Sequence, residues 1–372
     1  MQYTYPDYYK EFKCLAGECL DTCCAGWQIV IDDASIEKYK NISDDHPFKT
    51  KLFASVDWEE EVFNQDKCGR CAFLNKENLC DMYIGLGEES LCHTCSTYPR
   101  HIEEFEGLRE VTLSLSCPEV ARILMEKTAK TTFYMEETSE EEDYEEYEDF
   151  DDLVFGILQD IRTDMIGIMQ DRTISLKDRT GVIWKLSDEL QACLDDGEVF
   201  CCEDILDRYR KSYKSFGIGE EQDKNQLIDY DKALEMFKYL YRLEVLDEAW
   251  EKQVDETSLT LYGEDKLYYE KLRKEFDCWL EENMMVWNVQ AEQIVVYFLS
   301  TYLCGAVYDG LVSSKVKMAV AAVFFIHEIL MALWLKNGRK IEMQDIINVV
   351  YRYSRELEHS DINLEEMETC FG

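Results

Sequence analysis

Nine cysteines crowded into two short blocks constrain this chain more than any other feature. CLAGECLDTCCAGW, Cys14 to Trp27, holds four in 14 residues, and CGRCAFLNKENLCDMYIGLGEESLCHTCSTYPRH, Cys68 to His101, holds five in 34. A tenth, Cys117, stands just before Pro118. What such thiols do depends on compartment, because disulfides persist in oxidising surroundings and are reduced in a cytosol. The opening MQYTYPDYYKEFKC has no basic stretch followed by an apolar one, so no secretory signal is expected and a cytoplasmic location is. The clustered thiols are then expected to be thiolates that hold a metal. The scattered Cys193, Cys201, Cys202, Cys278, Cys304 and Cys370 are expected to be small buried apolar residues.

Spacing leaves the metal open. Cys68/Cys71 and Cys92/Cys95 are two CxxC knuckles of the kind that hold a tetrahedral zinc. The number and irregular spread of the thiols exceed what one zinc uses, which favours an iron-sulfur cluster. CGRC as a redox pair lacks the βαβ surroundings of a thioredoxin-like site. Cys24 follows Cys23 at once, where a radical S-adenosylmethionine triad requires two spacers.

All four prolines and ten of the sixteen cysteines lie within residues 1–125, which reads as a compact, turn-rich metal module. Glu136 to Asp152, EETSEEEDYEEYEDFDD, has no positive charge and reads as a self-repelling linker, placed at 126–152. An acidic landing strip for a basic substrate segment is the alternative for it. From 153 to 372 there is no proline and the composition is helical. Val154, Ile157, Leu158, Ile161, Met165 and Ile168 repeat as one helix face. Further helices are expected at Val182–Leu194, Tyr230–Leu246, Asp265–Tyr308, Ser314–Lys336 and Glu342–Glu356, with turns at Asp309-Gly310 and Asn337-Gly338. The helices around Tyr308 and Val316 should form an antiparallel hairpin. Trp27–Asp32 and Glu110–Leu115 alternate as short strands. The fold class is therefore mainly α: a cysteine-rich module with little strand, followed by a helical bundle. Met318–Leu335 is nearly long enough to span a bilayer, but His327 and Glu328 interrupt it, so a buried core helix is expected and a membrane is not. A formal charge of −39 leaves no basic face for a nucleic-acid backbone.

The residues of the two blocks resemble a known family. CLAGECLDTCCAGWQIVID, then CAFLNKENLCDMYIGLGEESLCHTCSTYPRH, then LSLSCPEV are similar to the cysteine-rich half of the flagellin lysine N-methylases, in detail over residues 14 to about 120 and more loosely beyond. The resemblance implies an enzyme that moves a methyl group from S-adenosylmethionine to ε-amino groups of surface lysines on flagellin and carries an iron-sulfur cluster, [4Fe-4S] in type. Carried over by position, its cysteines are Cys14, Cys19, Cys23, Cys24, Cys71, Cys80, Cys95 and Cys117, with Cys68 and Cys92 outside the pattern. The alternative reading is a non-enzymatic zinc or iron-sulfur module whose helical domain docks a partner.

Individual residues carry smaller expectations. Trp27 should pack over the metal site, and Tyr98-Pro99-Arg100 should be a turn whose arginine pairs with an acid or, alternatively, holds a carboxylate. His93 and His101 are alternative ligands, and His327 should be a satisfied core histidine. Methyl transfer needs a neutral amine, yet free lysine has a pKa of about 10.4, so a proton acceptor or a desolvated pocket is required. No spacing singles that acceptor out. Gly85-Leu86-Gly87 and Gly217-Ile218-Gly219 lack the strand-to-helix frame of a nucleotide-binding loop.

Overall fold

The computed structural model describes residues 1–139, 150–215 and 229–372. Residues 140–149 of the acidic segment and Gly217-Ile218-Gly219 lie outside the described residues. The strands are β1 (Gln2–Pro6), β2 (Val56–Asp57), β3 (Val62–Phe63), β4 (Arg100–Phe105), β5 (Leu108–Leu113) and β6 (Phe133–Glu137). Five short helices occupy the first third: α1 (Asp33–Lys40), α2 (Lys49–Ala54), α3 (Asp81–Leu86), α4 (His93–Thr97) and α5 (Pro118–Glu126). The bundle comprises α6 (Asp152–Met169), α7 (Leu176–Asp195), α8 (Cys201–Ser212), α9 (Tyr230–Phe237), α10 (Glu248–Tyr262) and α11 (Lys266–Asn283). It continues with α12 (Trp287–Tyr302), α13 (Ala306–Asp309), α14 (Val312–Lys336), α15 (Met343–Glu358) and α16 (Asp361–Phe371).

The chain is mainly helical, and the larger core is organised by α14. Apolar residues occur all round this helix, so burial on every side is the arrangement that removes them from water. It packs against α7, α10, α12, α15 and α16. It is long and apolar enough to cross a membrane, yet its most apolar stretch is 78% buried in protein, as a core helix should be. The expected hairpin forms between α12 and α14, with Gly310 in the left-handed region at φ +74 where the chain turns. Side-chain caps start α6, α7, α9, α10 and α11 at Asp151, Ser175, Asp229, Asp247 and Asp265, each accepting a first-turn N–H.

Several boundaries differ from the sequence expectation. The Asp265–Tyr308 run is broken at Met284 into α11 and α12, and Tyr230–Leu246 gives one short helix and a 3₁₀ turn. Trp27–Asp32 is not a strand: among the described residues it makes a single bridge, Val30 to Val62, because no long partner runs beside it. β1, β4 and β6 went unforeseen. They join β5 in a sheet ordered β4-β5-β1-β6, with β1 parallel to β5 and antiparallel to β6.

There are two cores. Ile29, Ile31, Ile36, Tyr39, Leu52, Val56, Phe63, Phe73 and Met82 pack together with Cys71 and Cys92. Tyr8, Phe105, Leu108, Leu113, Leu115 and most of α5 instead belong to the bundle's core. The thiol-rich lobe is thus an excursion between β1 and β4, both of which are anchored in the sheet on the bundle. Cys193 and Cys201, on either side of the turn between α7 and α8, lie side by side with Cα atoms 6.2 Å apart. The reversal at Gly197 brings together two thiols that the sequence leaves apart. Cys202 and Cys304 are buried, whereas Cys278 is exposed and Cys370 half-buried.

Candidate functional site at the thiol-rich seam

The two cysteine blocks fold back on each other through backbone pairing. The N–H of Cys71 donates to Cys24 O at 2.9 Å, and bridges link Ala25 to Arg70, Gln65 to Cys71 and Leu74 to Cys80. Cys24, Cys71, Cys80, Cys92 and Cys95 consequently form one group in and around the small core, close enough for their charges to act on one another. Cys14, Cys19, Cys23 and Cys117 form a second group, linked in the same way, at the seam with the bundle. Cys23 and Cys24, adjacent in sequence, join the groups. All eight cysteines of the sequence-derived set therefore fall in one group or the other. Cys92, outside that set, is fully buried within the first group, whereas Cys68 is exposed on a turn whose N–H is held by Asp66. The two-knuckle pairing of Cys68/Cys71 with Cys92/Cys95 is thereby broken at its first member. Among the described residues, no three His, Cys, Asp or Glu side chains converge closely enough to hold a metal ion.

Two of these thiols are set up to ionise. A hydrogen bond from Cys23 lowers Cys24 to about 7, against the opposing effect of burial, and Thr22 and Arg70 contribute. Cys95 acts likewise on Cys92 and lowers it. Burial raises Cys71 to about 12 and Cys117 to about 11. Thiols biased toward the thiolate at Cys24 and Cys92, each backed by a neighbouring thiol, are the soft donors that iron and zinc prefer.

The seam is closed by the last turn of α15. Arg355 donates to Asp21 O at 2.8 Å and to Ser116 O at 2.9 Å, and pairs with Asp21 Oδ1 at 2.9 Å. It thus ties the loop carrying Cys19 and Cys23 to the loop carrying Cys117. His359, one turn on, stacks on Trp27 with ring centres 4.3 Å apart, and Trp27 Nε1 donates to Cys23 O at 2.7 Å. Trp27 therefore packs beside the thiol group.

From His359 a hydrogen-bonded chain runs across the seam. His359 Nε2 lies 2.9 Å from Ser116 Oγ, which lies 2.6 Å from Ser114 Oγ, which donates to Glu358 at 3.1 Å. Tyr98 OH joins at Ser116, 3.0 Å away. Glu358 also accepts from Tyr297, Tyr302 and Ser354. Burial, reinforced by Arg355, lowers His359 to about 3, so its ring is neutral. Burial holds the Tyr98, Tyr297 and Tyr302 phenols well above their ordinary value, which keeps them protonated donors. The seam thus holds one carboxylate gathering four hydroxyl donors.

The other anticipated residues lie apart from this chain or at its edge. Arg100 donates to Thr97 O and lies over the Phe12 ring, 5.7 Å from its centre, in place of the expected acid. His93 uses its backbone N–H on Asp32. His101 is 2.6 Å from Glu103, a contact that raises it despite burial. His327 binds Asp277 through Nε2 at 2.8 Å, and its Nδ1 lies 3.5 Å from Glu328 Oε1, so both ring nitrogens face a carboxylate. Sequence reading missed Arg355, Glu358, His359, Tyr297 and Tyr302. The signal available was the i,i+4 pairing of Ser354 with Glu358 and Arg355 with His359 at the end of a strongly amphipathic helix.

Fold and seam together define a class: a small thiol-rich lobe seated on a helical bundle, with a hydroxyl-rich hydrogen-bonded chain at the join. The description "FliB lysine N-methylase C-terminal domain" matches residues 162–372. The chain belongs to the FliB lysine N-methylase family. Over 135 residues it is 34% identical to the lysine-N-methylases of Salmonella typhimurium and Salmonella choleraesuis, covering 34% of this chain and 33% of each of them. It is 33% identical over 135 residues to the flagellar biosynthetic protein FliU of Salmonella muenchen, covering 34% of this chain and 79% of that one. The chain thus spans about a third of the length of the lysine-N-methylases it matches. No solved structure matches it.

Proposed function

We propose that the protein is a cytoplasmic lysine N-methyltransferase that moves a methyl group from S-adenosylmethionine to ε-amino groups of surface lysines on flagellin. The observation that carries this reading is the Glu358 chain at the seam, in a member of a lysine N-methylase family. An in-line attack on a sulfonium methyl forms the N–C bond as the S–C bond breaks, and the amine must shed a proton before it attacks. Glu358 is the acceptor for that proton, held in place by Tyr297, Tyr302, Ser114 and Ser354. The net charge of −39 favours a lysine-bearing partner.

We further propose that the thiol lobe takes an iron-sulfur cluster, with zinc as the alternative. The donor chemistry fits either, since in each of the pairs Cys23/Cys24 and Cys92/Cys95 one thiol is lowered by its neighbour. The sulfurs as placed do not close a site for a metal ion. We therefore route no step of the reaction through a metal and leave its part to be measured. The test is anaerobic purification with iron, zinc and sulfide analysis, then incubation with radiolabelled S-adenosylmethionine and flagellin. Label in flagellin lysines that disappears in Glu358→Gln, with the fold intact, is the expected result. No label in flagellin from the wild-type protein overturns the enzymatic reading, and zinc without sulfide overturns the iron-sulfur one.

A further inference from the structure

One edge of the sheet has no partner strand. In the order β4-β5-β1-β6, β6 is terminal, and all five of its residues are exposed. Its pairing with β1 shows which backbone groups are left over. The Asp7 N–H donates to Thr132 O at 2.8 Å and the Thr138 N–H to Met1 O at 2.9 Å, so the even-numbered residues of this segment turn their backbone toward β1. Backbone direction alternates along an antiparallel strand, and Phe133, Met135 and Glu137 therefore turn their N–H and C=O groups outward. No strand among the described residues meets them.

Edges of this kind are templates for further pairing, and proteins usually blunt them with lysine, proline, a bulge or a covering element. β6 has neither lysine nor proline, and its register with β1 runs unbroken from Phe133 to Glu137. Phe133, Tyr134 and Met135 are 41%, 54% and 59% exposed. What the edge carries instead is negative charge. Glu136 is held by Tyr5 and Lys10, whereas Glu137 has no ion-pair partner among the described residues. The sequence has no positive charge from Glu136 to Asp152. Two copies of the chain meeting at this edge would set acid against acid on molecules of net charge −39. The same charges favour a cationic strand, because opposite charges across a strand pair stabilise it and like charges do not.

We propose that β6 is a docking edge for an extended, lysine-bearing segment of a partner protein, which adds to the sheet as a further strand along Phe133, Met135 and Glu137. The outward backbone groups hold any extended chain, and the Glu137 carboxylate selects a basic one. If the methyltransferase reading above holds, on which the identity of this partner rests, the segment belongs to the protein that accepts the methyl group.

The experiment measures binding of synthetic peptides to the full-length chain by fluorescence anisotropy. The probes are a peptide of alternating threonine and lysine, its counterpart with glutamate for lysine, and the threonine–lysine peptide N-methylated on two adjacent central amides, which spoils both edges of a strand. The variants are Met135→Pro and Glu137→Lys. A proline is tolerated in an edge strand where the N–H faces away from the neighbour, so Met135→Pro removes an outward donor and leaves the β1 pairing in place. The threonine–lysine peptide should bind the wild type and lose about tenfold in either variant and on N-methylation, while the glutamate peptide does not bind. Melting temperatures identify a variant that has merely unfolded, and the N-methylated peptide puts the same question to the wild type. Equal binding of the N-methylated and parent peptides overturns strand addition, and so does no binding of the parent peptide. Self-association of the wild type that Met135→Pro abolishes in sedimentation gives the edge to a second copy and also overturns the inference. Peptide binding that responds as expected, without methyl transfer to flagellin, supports the docking edge while the methyltransferase reading falls. Methyl transfer without peptide binding does the reverse.

Discussion

Removing the Arg355 side chain should unseat the thiol lobe from the bundle without unfolding either. Three charge-assisted contacts, to Asp21 O, Asp21 Oδ1 and Ser116 O, all pass through this guanidinium, whose side chain is 15% exposed. Hydrogen bonds to a charged group are worth about 1.5–3 kcal/mol each. Asp21 is a third exposed, so water replaces part of what its carboxylate loses, and the lower end of that range applies. Counting the two carbonyl contacts at about 1.5 kcal/mol each and nothing for the partly exposed Asp21 carboxylate, Arg355→Met should cost the seam about 3 kcal/mol, on the order of a 100-fold rise in the population of the opened lobe. The assay is the labelling rate of Cys117 by iodoacetamide in reduced, metal-free protein, resolved residue by residue by mass spectrometry. Cys117 is 8% exposed at the seam, and Cys304, 1% exposed inside the bundle, is the internal control. When a buried thiol reacts only from a locally opened state, its labelling rate tracks the opening equilibrium. Cys117 should label about 100-fold faster in the variant while Cys304 stays constant, with Arg355→Lys in between. A change at Cys117 of less than fivefold, or an equal rise at Cys304, would refute the reasoning.

Three further outcomes are expected. The contacts of His327 with Asp277 and Glu328 outweigh its burial and raise its folded-state pKa. Its contribution to stability is therefore complete below its ordinary pKa of about 6.5 and disappears as pH rises through the folded value. Urea melts from pH 5.5 to 8.5 should show that decline, and His327→Gln should flatten it. Burial raises Glu356 to about 7, against its bonds from the Leu246 and Asp247 N–H groups. Stability should fall between about pH 4.3 and 7 on its account, a slope that is absent in melts of Glu356→Gln. Glu292→Gln leaves two guanidinium groups facing each other without their shared carboxylate, and chemical denaturation should show a loss of about 3–5 kcal/mol. A loss under 1 kcal/mol would mean that water already screens the cluster.

The helical half was legible because its signals are local. α6 declared itself through apolar residues three and four apart, and α14 through a long apolar run closed by Asn337-Gly338. The sheet was not legible: β1 pairs with residues more than a hundred positions away, and no short-range pattern encodes that register. The thiols were recognisable as a pool, because cysteine density is visible in the sequence, but their division into groups is set by which strands and turns meet. Cys92 shows the difference: the family pattern set it aside, and burial places it among the others. Glu358 and His359 were hidden for the opposite reason. Acidic residues are so abundant here that one carboxylate collecting hydroxyl donors from β5, α12 and its own helix looks, in sequence, like any other.

The route of the chain has a bearing on how the protein is made. A ribosome releases β1 first, yet its neighbours in the sheet arrive only with Leu108 and Phe133, after the whole thiol lobe has emerged. The lobe must therefore mature while tethered at one end, and the second tether closes afterwards. The strand on which the sheet converges therefore waits longest for its partners.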